Sequence, residues 1–393
     1  MSQDIVIVGA KRTAIGSFQG QFTGVPSPEL GATAIRAALA QAGIAPELVS
    51  ELIMGCVLPA NLGQAPARQA GLKGGLPLST GATTINKVCG SGMKATMLAV
   101  DLLKVGSADV VIAGGMESMT NAPYLVPKGR GGYRLGHAQL MDHLMLDGLE
   151  NAGDGKAMGV FAESCVEKFA FSREAQDAFS AESVTRAMNA IASGAFSAEI
   201  APVTVAGRKG DVIIATDEEP ANCDIGKIAS LRPAFKRDGG TITAASSSKI
   251  SDGAAALVLM RAEDAAAQGI TPLARILGHA THSQAPEWFT TAPAPAILKL
   301  LKNLNLSVAD IDLFEINEAF ACVAMATAAE AGIPHEKMNV NGGACALGHP
   351  IGATGARLIV TLLHALRARG LKRGVASLCI GGGEGTAIAI EAI

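Results

Sequence analysis

Four short segments of the 393-residue chain combine residue types that act as nucleophiles and move protons. They are Cys89-Gly90-Ser91-Gly92, Asn317-Glu318-Ala319-Phe320, Gly348-His349-Pro350 and Cys379-Ile380-Gly381-Gly382-Gly383. Cys89 stands directly before a Gly-Ser-Gly turn and a helical pattern. Two readings of it stay open: a small core residue, or a nucleophile at a helix N-terminus, where N–H groups stabilise a thiolate and offer oxyanion donors. Magnitudes limit what the helix alone supplies. A thiol near pKa 8.5 is only a few per cent ionised at neutral pH, and a helix terminus contributes roughly 0.3–1 kcal/mol, which is less than about one pKa unit. A base is therefore required. His349, flanked by Gly and Pro in a turn, is the candidate. Cys379 precedes three glycines at a strand end, where a buried thiol and a second acid–base group both fit. Asn317 is placed to cap the helix that follows it, and its amide is also able to hold a water.

Other chemistries find less support. His137, His143, His279, His282, His335 and His364 show no ligand spacing with one another, so no metal site is expected. No dinucleotide fingerprint or phosphate-binding P-loop is present, and "GGGEG" lacks the lysine such a loop needs. The seven cysteines, Cys56, Cys89, Cys165, Cys223, Cys322, Cys345 and Cys379, are odd in number and scattered, which argues against a disulfide scaffold and for a reducing, cytoplasmic setting. A net charge of −3 argues against a nucleic-acid partner. The N-terminus does not read as a signal peptide, and no run of eighteen apolar residues is long enough to cross a membrane.

Elements must bring these segments together, and the pattern supplies them. "DIVIVGA" (4–10) and "ELIMGCVLP" read as buried strands. Between them runs a helix with Ser27 and Pro28 at its start and Gly43 at its stop. Apolar residues at 93, 97, 100 and 103 predict a helix ended by Gly106, followed by a strand that stops at the Gly114-Gly115 turn. The second half repeats this order. "GSGMKATMLAVDLL" matches "GATGARLIVTLLHAL" in pattern, and "VVIAGGMES" matches "SLCIGGGEG", with Glu117 and Glu384 at one offset from their glycines. This predicts an α/β fold of two pseudo-equivalent halves, 1–119 plus 249–270 and 271–393. Residues 120–248 are loop-rich around one helical block starting at Ser172, and an insertion of this kind reads as a lid or binding region.

With these strings in hand, "INKVCGSGMKA", "GGMESM", "RPAF", "NEAFA", "NGGACALGHPIGATGAR" and "CIGGGEGTA", the chain resembles the thiolases, the family of acetyl-CoA acetyltransferases and 3-ketoacyl-CoA thiolases, over essentially its whole length. The resemblance implies helix-sheet-helix-sheet-helix layering with an inserted loop domain at 120–248 covering coenzyme A. It implies Cys89 as the acyl-carrying nucleophile, His349 as its base and Cys379 as the acid–base group at the α-carbon. Asn317 then holds a water that forms one oxyanion hole with His349, and the N–H groups of Cys89 and Gly381 form the other. Leu149, Met158, Phe235, Ala244, Ser248, Ala319 and Phe320 are expected to line the pantetheine and acyl channel. The chain departs from the family pattern at Ala157, Ala221 and Lys227. Lys227, with Arg208 and Lys209, is the expected replacement charge for the coenzyme A phosphates. The implied reaction is reversible condensation of acetyl-CoA to acetoacetyl-CoA, with acetyl-CoA, CoA and 3-oxoacyl-CoA as substrates, no cofactor or metal, and a homodimer or homotetramer using "PKGRGGYRLGH" as an intersubunit loop. The alternatives are a longer-chain degradative 3-ketoacyl-CoA thiolase, a condensing enzyme of the ketoacyl synthase kind, and a non-catalytic scaffold.

Overall fold

The structure, a computed structural model, describes residues 4–207 and 209–393. Its principal elements in the first half are β1 (Ile5–Thr13), α1 (Ser27–Ala42), β2 (Glu51–Gly55), α2 (Pro66–Lys73), β3 (Gly81–Ile85), α3 (Ser91–Lys104) and β4 (Val110–Ser118). The inserted region carries α4 (Met158–Phe169) and α5 (Arg173–Ala192). Then follow β5 (Ser251–Arg261), β6 (Ala274–Ser283), α6 (Pro293–Leu304), β7 (Leu313–Ile316), α7 (Ala321–Ala331), α8 (Ile351–Arg369), β8 (Arg373–Ile380) and β9 (Glu384–Ala392).

These nine strands hydrogen-bond in the order β7-β8-β9-β6-β1-β5-β4-β2-β3. The order reads outward from the centre as two copies of one plan. β1 pairs antiparallel with β5, β5 antiparallel with β4, and β4 parallel with β2. β6 pairs antiparallel with β9, β9 antiparallel with β8, and β8 parallel with β7. The halves join where β1 meets β6 through three residue pairs, Ile5–Ile276, Val6–Arg275 and Ile7–Ala274.

Three apolar clusters set the layers. One packs α1 residues Leu30, Ile35 and Leu39 on the outer face of the first half-sheet. A second joins Met93, Val100 and Leu103 of α3 to Leu358, Leu362 and Leu366 of α8 and to strands of both halves. A third packs Ile297, Leu300 and Leu301 of α6 against Val375, Ala387 and Ala389. The sequence is therefore helix, sheet, helix, sheet, helix, with α3 and α8 in the middle. Such a centre demands small residues. A Cβ on Gly355 would lie 2.3 Å from the Met93 nitrogen, so the two helices touch backbone to backbone.

Several local expectations change. The strand β4 does not stop at Gly114-Gly115 but continues to Ser118, because those glycines serve packing: a Cβ on Gly115 would lie 2.0 Å from the Gly352 carbonyl oxygen of α8. Ser27 is the first residue of α1, with Pro26 at the cap position and no side-chain capping bond. Asn317 does not cap α7; Phe320 holds that position, and Asn317 lies buried four residues upstream of the helix. Ser172 does cap α5, accepting from the Ala175 N–H at 3.1 Å. Helix α4, unread in the sequence, has buried Phe161, Ala162, Cys165 and Val166 at helical spacing. The inserted region is tied to the core by a buried charge cluster, Arg12 donating to Glu199 at 2.6 Å and to both oxygens of Asp217 at 2.7 and 2.9 Å.

Candidate active site

Cys89 sits in the loop between β3 and α3, and that loop is strained. Val88 has φ +45°, a left-handed conformation that costs a β-branched residue about 1–3 kcal/mol. Hydrogen bonds hold it there. The Lys87 N–H donates to Ser91 Oγ at 2.8 Å, Ser91 Oγ donates to the Val88 carbonyl at 2.7 Å, and the Val88 N–H donates to Asn86 Oδ1 at 2.9 Å. The strain presents the sulfur at the N-terminal end of α3, where the Gly381 N–H and its own N–H are directed at it.

The second half supplies the other groups. Asn317 follows β7, His349 precedes α8, and Cys379 is the penultimate residue of β8. Asn317 and Cys379 are fully buried and His349 nearly so. The His349 ring is oriented from both sides. Thr354 Oγ1 spends its own proton on the Pro350 carbonyl at 2.9 Å, so at 2.6 Å from His349 Nδ1 it accepts. The hydrogen therefore belongs on Nδ1, and Nε2 keeps its lone pair. Asn317 Nδ2 faces Nε2 at 3.4 Å, and Asn317 Oδ1 is buried with no protein donor. Thr354 had no separate signal in the sequence beyond lying one helical turn past His349.

A cavity of about 250 Å³ opens onto His349. Its walls include Leu149, Met158, Phe235, Ser248 and Phe320, five of the expected channel residues, and also Met119, Met145, Lys249 and Ile351, which sequence reasoning missed. The two sulfurs belong to different apolar clusters whose side chains line this cavity. Cys89 packs with Leu149, Ile250 and Ile351, whereas Cys379 packs with Met158, Phe235 and Phe320. Three other expected contacts are not among its lining residues. Ala244 and Lys227 line a second cavity of about 350 Å³, and the Ala319 carbonyl accepts from the Ser248 N–H at 3.0 Å. Lys227 is highly exposed and paired with Asp224 at 3.0 Å, and Lys209 is exposed. Arg208 lies outside the described residues. Among the described residues no group of three His, Cys, Asp or Glu is placed to hold a metal, and no helix is long and apolar enough to cross a membrane.

The electrostatics favour a neutral resting pair. Burial pushes the Cys89 thiol up to about 11, against the two N–H groups that favour its thiolate, with the Glu117 charge adding to the rise. Burial, then the Arg357 charge, lowers His349 to about 3. Burial and the Cys89 charge hold the Cys379 thiol well above its ordinary value. Glu117, expected to match Glu384, does not share its surroundings. It is fully buried, accepting from the N–H groups of Val57 at 2.9 Å, Leu58 at 3.1 Å and Gly352 at 2.8 Å, while Glu384 opens β9 and pairs with Lys87.

Comparison with known proteins decides the family. The thiolase N-terminal domain matches residues 5–263 and the thiolase C-terminal domain residues 270–392. The chain is a thiolase. It is 50% identical over 390 residues to an acetyl-CoA acetyltransferase of Chromobacterium violaceum, with 99% of each chain covered. It is 50% identical over 391 residues to the acetyl-CoA acetyltransferase of Escherichia coli, again with 99% of each covered. The thiolase also superposes on the crystal structure of the Bacillus anthracis acetyl-CoA acetyltransferase with a TM-score of 0.97 and 41% identity, covering all of this chain and 99% of that one.

Proposed function

We propose that this thiolase is an acetyl-CoA C-acetyltransferase that makes and cleaves acetoacetyl-CoA through an acetyl group carried on Cys89. The observation that carries the reading is the Gly381 N–H directed at the Cys89 sulfur, with Cys379 near enough to feel the Cys89 charge and His349 on a cavity lined by side chains of the cluster that Cys89 packs against. His349 Nε2, holding a lone pair, takes the thiol proton as the sulfur attacks the acetyl-CoA carbonyl. The N–H groups of Cys89 and Gly381 receive the charge that develops on its oxygen. Coenzyme A leaves as a thiol, protonated by the Cys379 thiol, and the acetyl group stays as a thioester on Cys89 while His349 remains protonated. A second acetyl-CoA then gives up an α-proton to the Cys379 thiolate, its carbon attacks the acetyl-Cys89 carbonyl, and the released Cys89 sulfur takes its proton back from His349. During the attack the thioester oxygen of the second acetyl-CoA, carrying enolate charge, faces protonated His349 and a water held by Asn317. The orphaned Asn317 Oδ1 supports that last role, because a buried acceptor of this kind calls for a donor.

Residues 120–248 form the coenzyme A loop domain on this reading. Lys227 already has a carboxylate partner, which weakens its case as the phosphate-binding charge. A homodimer or homotetramer is supported by the exposed apolar side chains of Tyr124, Val126, Leu135 and Leu140 and by the open edge of β3. Seven unpaired thiols suit a reducing, cytoplasmic setting.

The test is mass spectrometry of the protein mixed with acetyl-CoA alone. One acetyl group should appear on the peptide containing Cys89, and Cys89→Ser should lower turnover by at least about three orders of magnitude. An unlabelled Cys89 in active enzyme would sink the reading. Thiolysis rates from four-carbon to sixteen-carbon 3-oxoacyl-CoA measure chain length separately.

A further inference from the structure

The two oxyanion donors assigned to acyl transfer come from different halves of the molecule. Cys89 belongs to the loop before α3, and Gly381 to the turn between β8 and β9. Neither loop is fixed by a shared strand, so their separation is a tertiary quantity. The two meet along a tight seam. A Cβ on Gly90 would lie 2.4 Å from Ile380 Cδ1, and one on Gly381 would lie 3.6 Å from Val88 Cγ1. Across the same seam Lys87 Nζ is hydrogen-bonded and ion-paired to Glu384 Oε2. Lys87 is two residues before the nucleophile, and Glu384 three residues after the donor glycine. The pair is about three-quarters shielded, with side-chain exposures of 24% and 31%.

The backbone around the pair transmits its position. The Lys87 carbonyl accepts from the Gly90 N–H at 3.0 Å, which closes the turn carrying Cys89. On the other side Gly382 and Gly383 take φ +95° and +89°, conformations only glycine adopts without strain, and the Gly383 carbonyl accepts from the Gln284 N–H at 2.7 Å. Each partner of the ion pair therefore stands at the edge of a stiff turn rather than on a floppy loop.

We propose that Lys87 and Glu384 are positioning residues that clasp the nucleophile loop to the glycine turn and hold the Cys89 and Gly381 N–H groups at the spacing an oxyanion requires. This rests on the acyl-Cys89 reading. The clasp touches no substrate atom, so it acts on the rate of acetylation and leaves acetyl-CoA binding nearly unchanged. A partly exposed ion pair contributes modestly, which sets the scale of the effect.

The experiment follows single-turnover release of coenzyme A from acetyl-CoA in the wild-type enzyme, in K87M, in E384Q and in the charge-swapped K87E/E384K. Each single variant should acetylate roughly two- to fivefold more slowly, with the acetyl-CoA KM within about twofold and the thermal midpoint monitored in parallel. The swap should recover at least half of the lost rate, and raising salt should slow the wild type more than E384Q. Singles at the wild-type rate, or a swap no faster than either single, overturn the clasp. Failure of the underlying reading looks different: the wild type itself would then release no coenzyme A in the absence of a second substrate.

Discussion

At the residue scale, the site keeps its chemistry latent until substrate arrives. A thiol held near 11 and an imidazole near 3 are both neutral at physiological pH, so the thiolate forms only as the carbonyl accepts it. Glu117 shows the same burial acting on stability. Burial raises its carboxyl to about 7, against its three N–H partners. Below its ordinary value of 4.5 it is protonated whether the chain is folded or not. Between 4.5 and about 7 the unfolded chain ionises first, so stability falls as pH rises and levels off above about 7. Glu315, raised to about 7, and Asp252, raised to about 6, act in the same sense. Glu117→Gln should flatten the pH slope of unfolding stability between about 5 and 7 by roughly 1 kcal/mol per pH unit. Urea titrations across that range measure it, and parallel slopes would count against the raised carboxyl.

At the element scale, the decisive contact is between α3 and α8, the two helices whose N-termini carry Cys89 and follow His349. The sequence showed both helices and their similarity, yet not that they pack at backbone distance. Gly355→Ala places a methyl group 2.3 Å from the Met93 nitrogen, so α8 must shift away from α3. Overpacking of this kind costs about 1–3 kcal/mol. Because the shift also separates the nucleophile from its base, kcat should fall several-fold at temperatures well below the unfolding midpoint. Unchanged urea midpoint and unchanged kcat together would show that the centre tolerates expansion. The misread end of β4 has the same origin. Glycine pairs mark turns when the local chain decides, but Gly114 and Gly115 answer to the close approach of β5 and α8.

At the scale of the whole molecule, the exposed arm between β4 and α4 is the feature a single chain leaves unexplained. Leu135 is fully exposed, and Tyr124, Val126 and Leu140 are more than half exposed on the same excursion. Apolar side chains so arranged favour burial against another copy. On the homo-oligomer reading, Leu135→Asp with Leu140→Asp should shift the mass measured by light scattering to a smaller assembly, while leaving the far-UV spectrum intact. An unchanged mass would assign the arm another role.

What the amino-acid sequence by itself determined is local and periodic. Helical spacing, strand runs, the Ser172 cap and the repeated order of elements follow from side-chain pattern, and the strings around Cys89, His349, Cys379 and Asn317 marked the family. What only the tertiary structure decided is which of these groups share a wall, and with what partners. Asn317 lies beside His349 instead of capping α7, Glu117 and Glu384 occupy unlike surroundings despite equal offsets, and Lys227 and Ala244 line a different cavity from Met158. The physical reason is range. Propensity and periodicity act over a few residues, whereas burial, close backbone approach and ion pairing depend on segments hundreds of residues apart in the chain.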